Sequence, residues 1–146
     1  MRLELTPKVG APPLNFGMSG DDARRVLGDP TAEYPLSWYY NDLQMNFDGD
    51  KMNFIQLSWS REGSRFDVWY GGVRVFDTPA DELVRVISGE LPTVESAQFI
   101  DRDLDLALWR PRLPSQRSPD EPDDEFRNGE YWQTIAIGTG DSYGHV

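Results

Sequence analysis

Phe16 to Pro30, FGMSGDDARRVLGDP, reads as one short helix with both ends marked. Ser19 is the expected N-cap, its hydroxyl facing the orphan amides of the first turn, with Asp22 at N3. Ala23, Val26 and Leu27 fall at i, i+3 and i+4 and predict one apolar stripe on the core side. Gly28 supplies the left-handed residue that ends a helix, and Pro30 forbids resumption. The unit recurs about 60 residues later, with Thr78 as N-cap, Pro79 at N1, Asp81 at N3 and Gly89 as the stop. There the stripe is Leu83, Val86 and Ile87, and Phe16, Asp21 and Arg25-Val26 match Phe76, Asp81 and Arg85-Val86.

Each helix signal precedes strand signals. After the first come LSWYY (Leu36–Tyr40), the alternating Leu43, Met45 and Phe47, an Asp48-Gly49-Asp50 hairpin turn, and MNFIQLSW (Met52–Trp59). Phe66–Tyr70 is expected as the fourth strand of this meander, and Gly71-Gly72 as the boundary between halves. After the second helix come Ser96–Ile100, LDLALW (Leu104–Trp109) and YWQTIAI (Tyr131–Ile137). The order of signals predicts an α+β fold of two tandem repeats, each a capped helix followed by an antiparallel β-meander, with the helices on one face of the sheet. The halves run 1–70 and 71–146 and form a single compact unit. Two unrelated capped helices in one α+β domain remain the alternative. Residues 111–129, PRLPSQRSPDEPDDEFRNG, are rich in proline and charge and predict a long acidic loop.

Composition narrows function. Net charge is -11, from 25 acidic against 14 basic residues, which argues against nucleic-acid or anionic-membrane surfaces. The same charge steers basic partners towards the chain. Cysteine is absent, so disulfides, thiolate chemistry and cysteine-rich metal sites are excluded. MRLELTPKVGAPPLNFG has no apolar run of signal-peptide length, and a cytoplasmic protein is the expectation.

No enzyme signature stands out. Asp101, Asp103 and Asp105 alternate and would share one strand face, yet a calcium loop needs Gly next and Glu at position twelve, where Leu106 and Arg112 stand. His145, the single histidine, sits in a polar tail, so no catalytic, cofactor or metal residue is assigned. The aromatic set carries more information. Trp38-Tyr39-Tyr40 and Tyr131-Trp132 are sequential, so on strands they point to both faces. Some aromatics are therefore expected on the face away from the helices, where tryptophan and tyrosine beside acids suit protein binding.

The pattern Gly17-Met18-Ser19 opening a helix that ends in Leu27-Gly28-Asp29-Pro30, followed by aromatic strands, resembles a bacterial superfamily. It is similar to the small outer-membrane assembly lipoproteins of the SmpA/OmlA type and to the beta-lactamase inhibitor proteins, which carry the helix-plus-meander unit in tandem. The resemblance implies a shared architecture and a habit of binding proteins through sheet and loops. The lipoproteins need a lipidated cysteine and the inhibitors carry disulfides, and this chain has no cysteine for either. Small acidic proteins of this kind also look like immunity proteins of bacterial toxin systems.

The expectation is thus a non-enzymatic, immunity- or inhibitor-type module masking a basic protein. Its partner-binding residues would be Trp38, Tyr40, Trp132, Asp101 and Asp103, with Asp120, Glu121, Asp123, Asp124 and Glu125 of the acidic loop. The alternative is a small-molecule domain with a pocket between helices and sheet lined by Met45, Phe47, Trp59 and Trp109.

Overall fold

The first helix forms where its capping signals stand. In a computed structural model, which describes residues 1–89, 96–111, 113–114 and 127–139, helix α1 spans Gly20–Leu27. The Ser19 hydroxyl accepts from the Asp22 amide at 3.2 Å, and the Asp22 carboxylate accepts from the Ser19 amide at 3.4 Å. This reciprocal box satisfies two orphan donors. Gly28 ends the helix at φ 84°, its N–H donating to the Arg24 carbonyl. Ala23 and Leu27 are buried and Val26 is half-buried.

The second helix, α2 (Ala80–Ser88), is capped differently from expectation. Thr78 does not cap it: a 3-10 turn over Val75–Asp77 precedes the helix, and the Thr78 hydroxyl donates back to the Arg74 carbonyl at 2.6 Å. Pro79 occupies the cap with no side-chain hydrogen bond, and Gly89 closes the helix in the left-handed region. The buried face is Ala80, Leu83, Val84 and Ile87, while Val86 is turned outward.

The strands are β1 (Arg2–Glu4), β2 (Gly10–Ala11), β3 (Leu14–Asn15), β4 (Ala32–Glu33), β5 (Ser37–Tyr40) and β6 (Leu43–Asp48). They continue as β7 (Lys51–Ser58), β8 (Asp67–Tyr70), β9 (Val73–Arg74), β10 (Gln98–Asp101), β11 (Leu106–Trp109) and β12 (Thr134–Gly138). Seven of them make one antiparallel sheet in the order β10-β11-β12-β7-β6-β5-β4, so the fold is α+β around a large antiparallel sheet. Two meanders join where β12 pairs with β7.

The stretch expected as a fourth meander strand leaves this sheet. β8 pairs in parallel with β1 and, through the Gly71-Gly72 turn, antiparallel with β9. Both glycines have positive φ, 56° and 86°, as a two-residue hairpin turn requires. Tyr131-Trp132 also precede the last strand, with Tyr131 making an isolated bridge to Pro79.

Opposed residues of an antiparallel sheet share a face, so register sorts the side chains. Trp38, Met45, Ile55, Ile137 and Leu106 form one row, and Tyr40, Leu43, Leu57, Ile135 and Leu108 the next. All are buried. Helix α1 meets this face, since a Cβ on Gly20 would stand 2.6 Å from Trp38 and the Tyr40 hydroxyl donates to the Gly28 carbonyl at 2.8 Å. Helix α2 meets Trp132, whose indole N–H donates to the Ala80 carbonyl at 3.0 Å.

Gly20 sets two effects against each other. Alanine in a helix is favoured over glycine by about 1 kcal/mol, but overpacking a filled core costs about 1–3 kcal/mol. The Trp38 ring is buried and has little room to retreat, so sterics prevail. Gly20→Ala is expected to lower the denaturant midpoint, and an unchanged or raised midpoint would show that Trp38 yields.

Candidate functional site

The other face of the sheet is built from the alternate positions. Its rows are Tyr39, Gln44, Gln56, Ala136, Ala107 and Ile100; Ser58, Thr134, Trp109 and Gln98; and Ser37, Asn46, Phe54 and Gly138. None of these side chains is charged, in a chain of which 27% is charged. Most are half-exposed, and Ile100 and Trp109 are exposed at 36% and 44%. The Gln44 amide donates to Asn46 at 3.0 Å, and the Ser58 and Thr134 hydroxyls lie 3.3 Å apart. These bonds link polar side chains of the same face along and across the strands.

Charge begins at the rim. The β6–β7 hairpin carries exposed Asp48 and Asp50 with Lys51, and the β10–β11 turn, at the same end of the sheet, carries exposed Asp103 with Arg102. Exposed Tyr34 and Leu36 lie there too, at 58% and 56%, with Tyr34 edge-on to Tyr39 at 5.9 Å. An uncharged centre with exposed apolar side chains thus gives way to a border of mixed charge in which acids are in excess.

The aromatics expected at this surface are elsewhere. Trp38, Tyr40 and Trp132 retain 8%, 2% and 0% exposure, so they are core residues and are not presented to a partner. The Tyr40 hydroxyl and the Trp132 indole N–H are bonded inside, and Arg24 stacks on Trp38 at 4.4 Å. Tyr39, Trp109 and Tyr34 take the outward role.

Asp101 and Asp103 are near the rim, but the alternating aspartates do not share a strand face. The chain turns after Asp101, whose Oδ1 accepts from the Leu104 amide at 3.1 Å, and Asp105 is buried at φ 50°. Asp120, Glu121, Asp123, Asp124 and Glu125 lie outside the described residues. Among the described residues no cluster of three or more His, Cys, Asp or Glu could hold a metal, and no helix is long and apolar enough to cross a membrane.

The residues expected to line a helix–sheet pocket are not brought together, because Met45 and Phe47 are packed in the core while Trp109 faces outward. A cleft of about 270 Å³ lies instead between the end of β7 and the small sheet. Leu57, Trp59, Phe66 and Phe76 line it with Asp67 and Arg74, whose carboxylate and guanidinium are 3.2 Å apart. The Asp67 carboxyl is held below its usual range, first by the Trp69 indole N–H and then by Arg74. That N–H falls outside full hydrogen-bond geometry, so its effect is electrostatic.

Two arginines that sequence reasoning passed over fix the base of the 111–129 segment. Arg110 is 2% exposed, donates to the Ser96 and Gly129 carbonyls at 3.2 and 2.7 Å, and stacks on Trp132. Burial pushes its guanidinium down from its ordinary value and Asp81 opposes this. Arg127 is sandwiched between the rings of Trp59 and Tyr131 at 4.2 and 4.3 Å. The only sequence signal was an arginine next to an aromatic strand end.

No protein family, curated protein or solved structure matches this chain.

Burial pushes the Tyr40 hydroxyl up from its ordinary value against the pull of Arg24 and Arg65, and burial raises Tyr70 likewise. A free tyrosine ionises at about pH 10, so the unfolded chain deprotonates first. The stabilisation is complete below that pH and is lost as pH rises towards the folded value. Tyr40→Phe is expected to cost about 1 kcal/mol at neutral pH and to make the alkaline loss of stability shallower, read by urea unfolding at a series of pH values.

Proposed function

We propose that this protein is a non-enzymatic protein-binding module of the inhibitor or immunity type, which masks a basic partner with the uncharged face and acidic rim of its large sheet. One observation carries the reading: inward of the Asp48–Lys51 pair at one end, the paired rows of the half-exposed sheet face hold no charged side chain, although the chain as a whole is strongly acidic. A lone surface of that kind, with Trp109 and Ile100 at one edge and Tyr39 with Tyr34 at the other, supplies apolar area and rigid aromatic anchors. Asp48, Asp50 and Asp103 supply the field that steers a cationic partner into register. In this reading the protein acts in the cytoplasm.

The tandem-repeat architecture belongs to the same reading. Its support is the strand order, in which each helix is followed by a meander and the two final strands, β7 and β12, pair. A second support is that the residues before each helix bridge the chain at the start of those strands. Met18 bonds Met52, and Pro79 bridges Tyr131. The likeness to SmpA/OmlA-type lipoproteins and beta-lactamase inhibitor proteins stands as part of this proposal, on the Gly17–Pro30 motif.

A small-molecule site is the second reading, favoured by the cleft at Trp59, Asp67, Arg74 and Phe76. The two are separated by variants. With protein immobilised at low salt, the wild type is expected to retain a basic protein from lysate of the source cell. Trp109→Asp should lose it by about tenfold or more, a change of about 1.4 kcal/mol, and Asp48→Lys with Asp50→Lys should slow its association. Retention unchanged in Trp109→Asp would remove the sheet face from the reading. Trp59→Ala sensitivity of a small ligand, with no retained protein, would move it to the cleft.

A further inference from the structure

The two edges of the large sheet are finished differently. β4 is two residues long, lies between Pro30 and Pro35, and its Glu33 is ion-paired with Arg24. Short length, flanking proline and charge are the usual protections of an edge. The opposite edge, β10, has four residues, QFID, with no proline or lysine, and among the described residues no strand pairs with its outer side.

Its backbone polarity follows from the ladder. The Arg110 amide donates to the Ala97 carbonyl at 2.9 Å, so that pair is hydrogen-bonded. Alternation then makes Phe99/Leu108 and Asp101/Leu106 the next bonded pairs and turns the amides and carbonyls of Gln98 and Ile100 away from β11. Consistent with this, the Gln98 amide turns to the Ser96 hydroxyl at 3.2 Å. The start of the strand is held by Arg110, whose side chain bonds the Ser96 carbonyl. β10 is therefore a fixed template.

We infer that β10 is where an extended segment of a cationic protein adds as an eighth strand, pairing with the outward backbone of Gln98 and Ile100. This rests on the protein-binding reading and specifies its mode, strand addition. Charge selects the occupant. The edge strand ends in Asp101, the following turn carries exposed Arg102 and Asp103 and so keeps a net acidic charge, and Trp109 and Ile100 are exposed beside it. A second copy of the chain would bring together two bodies of net charge -11 each. A segment alternating basic and apolar residues places its apolar side chains beside Ile100 and Trp109 and its cations near the aspartates.

The test uses the full chain and an octapeptide of alternating lysine and valine, with an alternating glutamate–valine octapeptide for comparison. Ile100→Pro removes an outward amide without touching the bonds to β11, because proline is accepted on an edge whose N–H faces solvent. Ile100→Thr keeps the amide. The lysine–valine peptide is expected to slow hydrogen exchange at the amide of Ile100, the Gln98 amide being already bonded to the Ser96 hydroxyl. Its affinity should fall about tenfold in Ile100→Pro, the worth of about one hydrogen bond. In Ile100→Thr, which keeps the amide and loses only apolar contact, the affinity should fall clearly less than in Ile100→Pro, with the unfolding midpoint of each variant measured alongside.

Equal binding by Ile100→Pro, binding of both peptides alike, concentration-dependent self-association through β10, or no binding would each overturn strand addition. The sheet-face reading is decided separately by Trp109→Asp. If a retained protein is lost in that variant but bound normally by Ile100→Pro, the face stands and the edge falls.

Discussion

The ladder between β7 and β12 is the constraint on which the rest depends. Thr134 pairs with Ser58 and the register runs on to Gly138 with Phe54, joining strands that lie 76 residues or more apart in the chain. Closing so long a loop costs entropy before any bond repays it. What repays it is the buried face, where Ile135 and Ile137 complete rows that reach from Trp38 and Tyr40 on one side to Leu106 and Leu108 on the other. The uncharged second face is the other side of the same pairing. A slip of one residue would exchange Ile135 and Ile137 for Thr134 and Ala136, so the burial that fixes the register also fixes the opposite surface.

The buried arginines answer a problem created by that topology. The meander on the β10 side is interrupted by the 111–129 segment, so β11 and β12 are not joined by a tight turn. Arg110 at the near end and Arg127 at the far end substitute side-chain bonds for turn chemistry. Arg110 bonds the Gly129 carbonyl and Arg127 bonds the Phe76 carbonyl at 2.5 Å, each guanidinium lying on aromatic rings. Arginine suits this role because it stays cationic, spreads its charge, and stacks while donating in its own plane.

What was legible in the sequence was local. Ser19, Asp22 and Gly28 mark α1 because a cap involves residues three or four apart, and the alternation of Leu43, Met45 and Phe47 marks β6 because one strand carries its own period. Where a role depends on which partner the folded chain presents, the signal vanished. Thr78 has the residue type of a cap, yet the 3-10 turn before it presents the Arg74 carbonyl, which takes its hydroxyl. Trp38, Tyr39 and Tyr40 read as facing both ways, and they do, but nothing local says that Tyr39 is the outward one. Phe66–Tyr70 reads as a strand and β8 is one, while its parallel partner at Arg2–Glu4 lies more than 60 residues away. The aspartates at 101, 103 and 105 alternate like a strand, and the Asx bond from Asp101 to Leu104 turns the chain instead.

A half-exposed uncharged face beside an edge strand invites association between copies of the chain, and charge placement is what opposes it. The acids at the hairpin and turn would meet their own images in any face-to-face pairing, and like charges so placed repel. Cation–π contacts hold Arg2 and Arg74 on Trp69 of the small sheet, at 4.0 and 5.1 Å, while Lys51 and Arg102 stand at the rim of the large one. In the proposed function the same arrangement favours a body of opposite sign over a second copy. The acidic excess of this chain, read first as a property of composition, is in that reading a positional property, because acids border the uncharged rows of the sheet.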